Sequence, residues 1–307
     1  MLELSLFIAG ETGMVGKALT RRFAREEVRI LSAPHSRLDL RDAAATRDWF
    51  MAARPDLVIM AAGRVGGIGA NAADPRGFYH DNLAMARSVL DAAAQSGVSK
   101  LLYLGSSCIY PRNAPQPLTV DSLFRGRLEK TNQGYALAKL KGAQLVRRYR
   151  ALGHDFIAAL PCNLYGPDDH YDAERSHVIP ALIVKISEAK RTGASQVTLW
   201  GSGNPLREFL HVDDLADACA ILLKNYSSAD PVNIGSGKEI SIRALARLIA
   251  DMLDYRGTII FDPTRPDGMP RKVMDSSVMR ALGWRPMQDI YDGLKTVADS
   301  YAAGSQA

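Results

Sequence analysis

Apolar residues along this chain follow two alternating patterns: short, nearly unbroken runs, and longer stretches in which they recur every three or four positions. The first pattern predicts strands buried on both faces, the second amphipathic helices packed against them. Strand runs fall at Leu4 to Ala9, Val28 to Ser32, Leu57 to Ala61, Lys100 to Leu104 and Phe156 to Leu160. Helical periodicity fills the intervals at Lys17 to Glu26, Asp42 to Ala53, Gly77 to Ser96, and through Tyr135 to about Leu152. Such alternation predicts an α/β fold built on a doubly wound parallel sheet.

Beyond Pro161 to Pro167 the alternation loosens. A loop rich in Asp and His, Asp168 to Glu174, precedes a helix at Val178 to Arg191, a strand at Gln196 to Trp200 and a returning segment from Arg207 to His211. Val212 to Leu223 reads as a helix whose following strand, Pro231 to Ile234, rejoins the first sheet. A helix at Ile242 to Leu253, a strand at Thr258 to Phe261 and a Pro-rich loop from Asp262 to Lys272 follow. The expected organisation is a dinucleotide-binding domain of residues 1–162, completed by about 211–234, and a smaller C-terminal α/β substrate-binding domain within 163–307.

The 307 residues, 47% hydrophobic and 23% charged, supply an ample core for a globular enzyme. No apolar run approaches the ~20 residues that cross a bilayer, and Met1 leads almost directly into a strand-like segment. The three cysteines, Cys108, Cys162 and Cys219, are far apart and odd in number. A cytoplasmic protein with free thiols and no membrane partner is therefore expected. The net charge of +5 is scattered, which fits anionic small molecules better than nucleic acid. Asp168, Asp169, His170 and Asp172 lack any recognised ligand spacing, so no metal is expected.

Chemistry enters first at Gly10-Glu11-Thr12-Gly13-Met14-Val15-Gly16, which lies directly between a strand and a helix. In this Rossmann-type arrangement Gly10 makes a tight turn, Gly13 lets a diphosphate approach the backbone, and Gly16 lets helix and strand pack closely. After the second strand no acid is placed for an adenosine ribose. A 2'-phosphate would meet His35 and Arg37 instead, which favours NADP, with NAD left open. Asp39 is placed to accept from an adenine amino group, and a solvated loop acid is an equal account of it.

The second centre is Tyr135 and Lys139, four residues apart on one helical face. A phenol titrates near pH ~10, and a neighbouring ammonium lowers that value, so the pair reads as an acid/base couple. Lys100 to Leu104 ends in Gly105-Ser106-Ser107-Cys108, where the Ser106 hydroxyl could hold a substrate oxygen for Tyr135 to protonate. The bland alternative is a packed tyrosine beside a solvated lysine.

The glycine turn, Ser106 and Tyr135-x-x-x-Lys139 together resemble the extended short-chain dehydrogenase/reductase family. The resemblance runs nearly end to end. It takes in Val65-Gly66-Gly67-Ile68, Gly105 to Pro111, Asn163-Leu164-Tyr165-Gly166-Pro167, Ser176 to Ala181, Trp200-Gly201-Ser202-Gly203, Arg207 to Asp214 and Pro266 to Lys272. Its finer motifs match the branch that epimerises C3 and C5 and then reduces C4 of GDP-4-keto-6-deoxymannose with NADPH. On that resemblance Cys108 and His177 are the epimerising base and acid, against bland readings as a small buried hydrophobe and a capping or packed histidine. Lys185, Trp200, Arg207, Asp267 and Lys272 hold the GDP-sugar. Gly105, Ser106, Ser107, Cys108, Lys139, Pro161, Cys162, Asn163, Leu164 and His177 join the glycine turn in holding the cofactor, and a homodimer forms through the helices of Gly77 to Ser96 and Gly134 to Leu152. Three departures stand out. Thr12 and Ala33 replace arginines common near the 2'-phosphate, and Gln133-Gly134 precede Tyr135 where an acid and a bulkier residue are common, which points to an altered pocket wall. The rival readings are a related nucleotide-sugar 4-reductase, deoxysugar synthase or 4-epimerase. From another class, a non-catalytic nucleotide-sensing regulator has no need of Ser106, Tyr135 and Lys139 together.

Overall fold

The computed structural model describes residues 4–173 and 176–304, so Met1 and Glu174 lie outside the described residues. The first half follows the expected alternation: β1 (Leu4–Ala9), α1 (Met14–Phe23), β2 (Val28–Leu31), α2 (Ala43–Ala53), β3 (Leu57–Met60), α3 (Ile68–Ala73), α4 (Pro75–Ser96), β4 (Lys100–Leu104), α5 (Gln133–Ala151) and β5 (Phe156–Pro161). Then come β6 (Asn163–Tyr165), α6 (Val178–Arg191), β7 (Gln196–Trp200), β8 (Leu206–His211), α7 (Val212–Asn225), β9 (Val232–Ile234) and β10 (Glu239–Ser241). The chain continues through α8 (Ile242–Met252), β11 (Thr258–Asp262), β12 (Arg271–Lys272), α9 (Ser277–Ala281) and α10 (Ile290–Gly304).

Six strands form one parallel sheet in the order β2-β1-β3-β4-β5-β9. The expected return strand pairs with β5, with Ala159 opposite Val232. Because the chain leaves β1 on one side for β2 and comes back on the other for β3, the carboxyl ends of β1 and β3 part into a crevice. Successive strand side chains point to opposite faces, and both faces are covered. Leu6, Ile8, Leu102 and Ile157 pack on Leu19 of α1 and Leu215 and Leu222 of α7. Phe7, Val58, Met60, Leu101 and Phe156 pack on Phe50 of α2, Leu90 of α4 and Val146 of α5.

A second sheet centres on β8, which pairs antiparallel with β10 and parallel with β6 and β12. β7 and β11 form a separate parallel pair. A third core joins these strands to α6, α8 and α10 through Ile186, Leu199, Phe209, Ile249, Leu294 and Val297. α10, which the sequence analysis did not reach, buries Leu294, Val297 and Ala298 on its inner face.

Gly134 belongs to the packing, not to a pocket wall. A Cβ there would lie 2.0 Å from the Pro75 carbonyl oxygen, so the missing side chain lets α5 seat against the first turn of α4. Gly134→Leu is expected to destabilise the fold by about 1–3 kcal/mol through overpacking, read as a lower urea midpoint. An unchanged midpoint would contradict this account.

Candidate active site

The crevice widens into a cleft of about 850 Å3 that reaches from the glycine turn to the second sheet. That volume suits a nucleotide-sized ligand. Gly10 has φ of +92°, and a Cβ there would lie 2.7 Å from the Ala62 backbone. At Gly16 a Cβ would lie 2.0 Å from the Gly10 carbonyl oxygen. Gly13 differs: its nearest neighbour would be Gly10 O at 3.7 Å, so its bare side is open. Gly13 also starts α1 without a side-chain cap, which leaves the first helical N–H groups to an anion. Glu11, Thr12, Met14 and Val15 complete this wall. The residues present therefore fit a dinucleotide diphosphate.

At the adenosine end His35 and Asp39 line the cleft, whereas Arg37 stands in an exposed turn outside the lining. Arg41 lines it instead, gripping Asp39 through Nη2 at 2.6 Å and Nε at 2.9 Å. Those hydrogen bonds hold the Asp39 carboxyl down at about 2. Ser32 at the end of β2 donates to Glu11 at 2.7 Å, so the glycine turn contributes a carboxylate there.

The chemistry-bearing residues gather where β4 ends. Ser106 Oγ accepts from the Cys108 amide at 3.1 Å and acts on the Tyr135 phenol from α5. One turn on, Lys139 is buried and donates to the Leu104 carbonyl at 2.9 Å, with its Nζ 5.9 Å from the Tyr135 ring centroid. Burial pulls the Lys139 ammonium down to about 8. The expected lowering of Tyr135 does not occur. Burial pushes the phenol well above its ordinary value, the Cys108 charge adds to this, and the Ser106 hydrogen bond opposes it. Tyr135 thus stays protonated and stands as a donor.

Cys108 behaves oppositely. Burial alone would push its thiol up, but the Lys272 ammonium, with hydrogen bonds involving Ser106, Lys272 and Asn132, holds it below the ordinary thiol value. Lys272 Nζ lies 3.6 Å from Cys108 Sγ. Replacing it, Lys272→Met, is expected to move the pH midpoint of Cys108 alkylation upward, measured with iodoacetamide and mass spectrometry. Cys162 and Cys219 are buried with raised thiols and should stay silent. An unmoved midpoint would detach Lys272 from the thiol. His177 starts α6, yet its imidazole makes no capping hydrogen bond, so the capping alternative falls away. The ring keeps surface open to the cleft while the walls enclose it closely. That enclosure first, and then the Lys272 charge, pull it toward the neutral form, with Asp169 opposing.

The far wall carries the remaining predicted residues. Lys185 Nζ and Arg265 Cζ each lie 5.0 Å from a Trp200 ring centroid. Arg207 Nη2 donates to the Asp267 carbonyl at 3.1 Å, and the Asp267 carboxylate accepts from Ser202 N at 2.7 Å and Ser202 Oγ at 2.8 Å. Gly105, Ser107 and the run Pro161, Cys162, Asn163 and Leu164 line the cleft between the two ends. Sequence reasoning missed Arg41, Glu129, Asn132 and Asp169, all in the lining. None sits in a spacing pattern. Glu129, tied to Arg112 at 2.8 Å, is nonetheless a buried acid whose charge acts on Arg207. Of the acidic loop, Asp168 turns to Lys17 at 2.7 Å and Arg21 at 3.6 Å across the mouth of the cleft.

Fold and cleft together define a nucleotide-binding α/β oxidoreductase, as the resemblance to extended short-chain dehydrogenases/reductases implied. The chain belongs to the NAD dependent epimerase/dehydratase family, which it matches over residues 6–235. It is 47% identical over 298 residues to GDP-L-fucose synthase 1 of Arabidopsis thaliana, covering 96% of this chain and 92% of that one. It is 42% identical over 295 residues to GDP-L-fucose synthase of Escherichia coli (strain K12), covering 92% of each. A crystal structure of a GDP-L-fucose synthetase from Naegleria fowleri bound to NADP superimposes with a TM-score of 0.90 at 27% identity, covering 100% of this chain and 96% of that one.

Proposed function

We propose that this chain converts GDP-4-keto-6-deoxy-D-mannose to GDP-L-fucose by epimerisation at C3 and C5 and NADPH-dependent reduction at C4. The observation that carries the reading is the meeting, in one cleft, of a hydroxyl–phenol–ammonium set with a thiol whose proton is loosened by Lys272. The near full-length relatives and the NADP-bound neighbour support both the substrate class and the cofactor.

A ketone at C4 acidifies the hydrogens on C3 and C5, so one ketone serves both epimerisations. Cys108 as thiolate removes a proton from one face, and His177 returns a proton to the other. Ser106 and Tyr135 donate to the C4 oxygen as charge builds on it. NADPH, when bound, supplies the hydride for C4. Tyr135 then gives its proton to the C4 oxygen, and the Lys139 ammonium stabilises the phenolate that remains. Lys185 and Arg207 meet the GDP diphosphate, Asp267 the sugar, and Trp200 packs against a ring. Gly10 to Gly16, with Pro161 to Leu164, hold the dinucleotide, and His35 and Arg41 are the cations nearest a 2'-phosphate.

On the same reading, residues 1–162 with about 211–234 bind the cofactor, and the rest of 163–307 binds the GDP-sugar. The chain forms a homodimer through α4 and α5, testable by light scattering at micromolar concentration. Among the described residues no helix is long and apolar enough to cross a membrane. The direct test of the activity is cofactor oxidation with the keto sugar and, separately, with GDP-mannose. Oxidation of NADPH with the ketone alone supports the proposal. No oxidation of NADPH or NADH with the ketone overturns it.

A further inference from the structure

His177 has to carry a proton in surroundings that disfavour one. Enclosure and the like charge of Lys272 on β12 both press its imidazole toward neutrality. The same cleft is lined by Cys108 and Arg207, by Lys185 along the His177 helix, and by Asp169 and His170 from the loop before it. Of these, Asp169 is the group whose charge favours imidazolium.

The Asp169 carboxylate is only half used. Oδ1 accepts from the His170 amide at 2.8 Å, while Oδ2 is buried with no hydrogen-bond partner. A buried carboxylate oxygen without a partner is costly, and its persistence calls for a task. The loop is braced so that this acid and His177 share one wall. Ser176 Oγ, next to His177, donates to His170 O at 2.5 Å and accepts from Asp172 N at 2.6 Å, and Lys17 holds Asp168 from α1.

We propose that Asp169 is the positioning residue for His177, supplying through its free Oδ2 the counter-charge that lets the imidazole take up and hold the proton it delivers to the sugar. Burial presses the Asp169 carboxyl up, and the His177 charge, the His170 amide hydrogen bond and the His170 charge press it back down. During epimerisation the His177 N–H bond breaks as the new C–H bond forms on the enolate; the imidazole then regains a proton through solvent as the Cys108 thiol gives up the one it took. Without Asp169, His177 stays neutral over a wider pH range and has no proton to give.

The inference rests on the role assigned to His177 above, so its first test needs neither substrate nor turnover. Histidine side chains of the intact 15N-labelled protein are titrated by NMR, with His177→Asn assigning the His177 signals. Asp169→Asn is expected to move the His177 titration to lower pH, and Asp169→Glu to bring it back toward the native position. A His177 titration unmoved in Asp169→Asn overturns the proposal even if the keto sugar is turned over, and a shifted one supports it even if that sugar is not the substrate. The second readout is solvent deuterium entering C3 and C5. Asp169→Asn is expected to slow it at least 10-fold at unchanged KM, with the alkaline limb of its pH profile, where His177 loses its proton, moved to lower pH. Raised KM with an unmoved profile would reduce Asp169 to a structural residue.

Discussion

Tyr135→Phe is expected to lower NADPH oxidation with the keto sugar by about 10²–10⁴-fold while leaving GDP-sugar binding intact. The phenol stands beside Ser106 at the end of β4, and burial keeps it protonated. It therefore has a proton ready when negative charge arrives on the C4 oxygen. Phenylalanine keeps the ring and the packing of α5, so the loss should appear in kcat and not in thermal stability or in KM. Lys139 donates to the Leu104 carbonyl with its Nζ 5.9 Å from the Tyr135 ring centroid, so its charge supports the phenol and does not take its place. An unaffected rate would remove Tyr135 from the chemistry and favour the non-catalytic reading.

Cys108→Ala is expected to separate the two halves of the reaction. Deuterium wash-in at C3 and C5, followed by mass spectrometry without NADPH, should fall by about 10²-fold or more, because the base is gone. Reduction depends on Ser106, Tyr135 and Lys139 and should continue, giving a 6-deoxy sugar that has not been epimerised. The expectation follows from the contact at 3.6 Å between Lys272 and the thiol, which favours the thiolate. Wash-in at the native rate would assign Cys108 to packing alone.

What the sequence made legible has a physical pattern. β1 to β5 carry apolar residues on both faces, so they stand out without any partner in view. Strands β6, β10 and β12 are two or three residues long, too short for periodicity to register, and exist because β8 offers them an edge. In the site, the glycine turn and Tyr135-x-x-x-Lys139 depend on local spacing and were read directly. Contacts across the chain were not. Lys272 and Cys108 are 164 residues apart, so the family resemblance placed Lys272 on the substrate while nothing local linked it to the thiol. Arg37 and Arg41 differ in sequence by one helical turn, and only the turn after β2 decides that Arg41 faces the cleft and is held by Asp39. The direction of the Tyr135 shift was likewise out of reach, because burial is a property of the closed cleft.

The most direct test of the whole account is one NMR spectrum of the product formed from GDP-4-keto-6-deoxy-D-mannose and NADPH in deuterated water. The account predicts a fuco-configured sugar with deuterium at both C3 and C5 and hydride-derived protium at C4. A reduced sugar that retains its original configuration, with protium at C3 and C5, would contradict it.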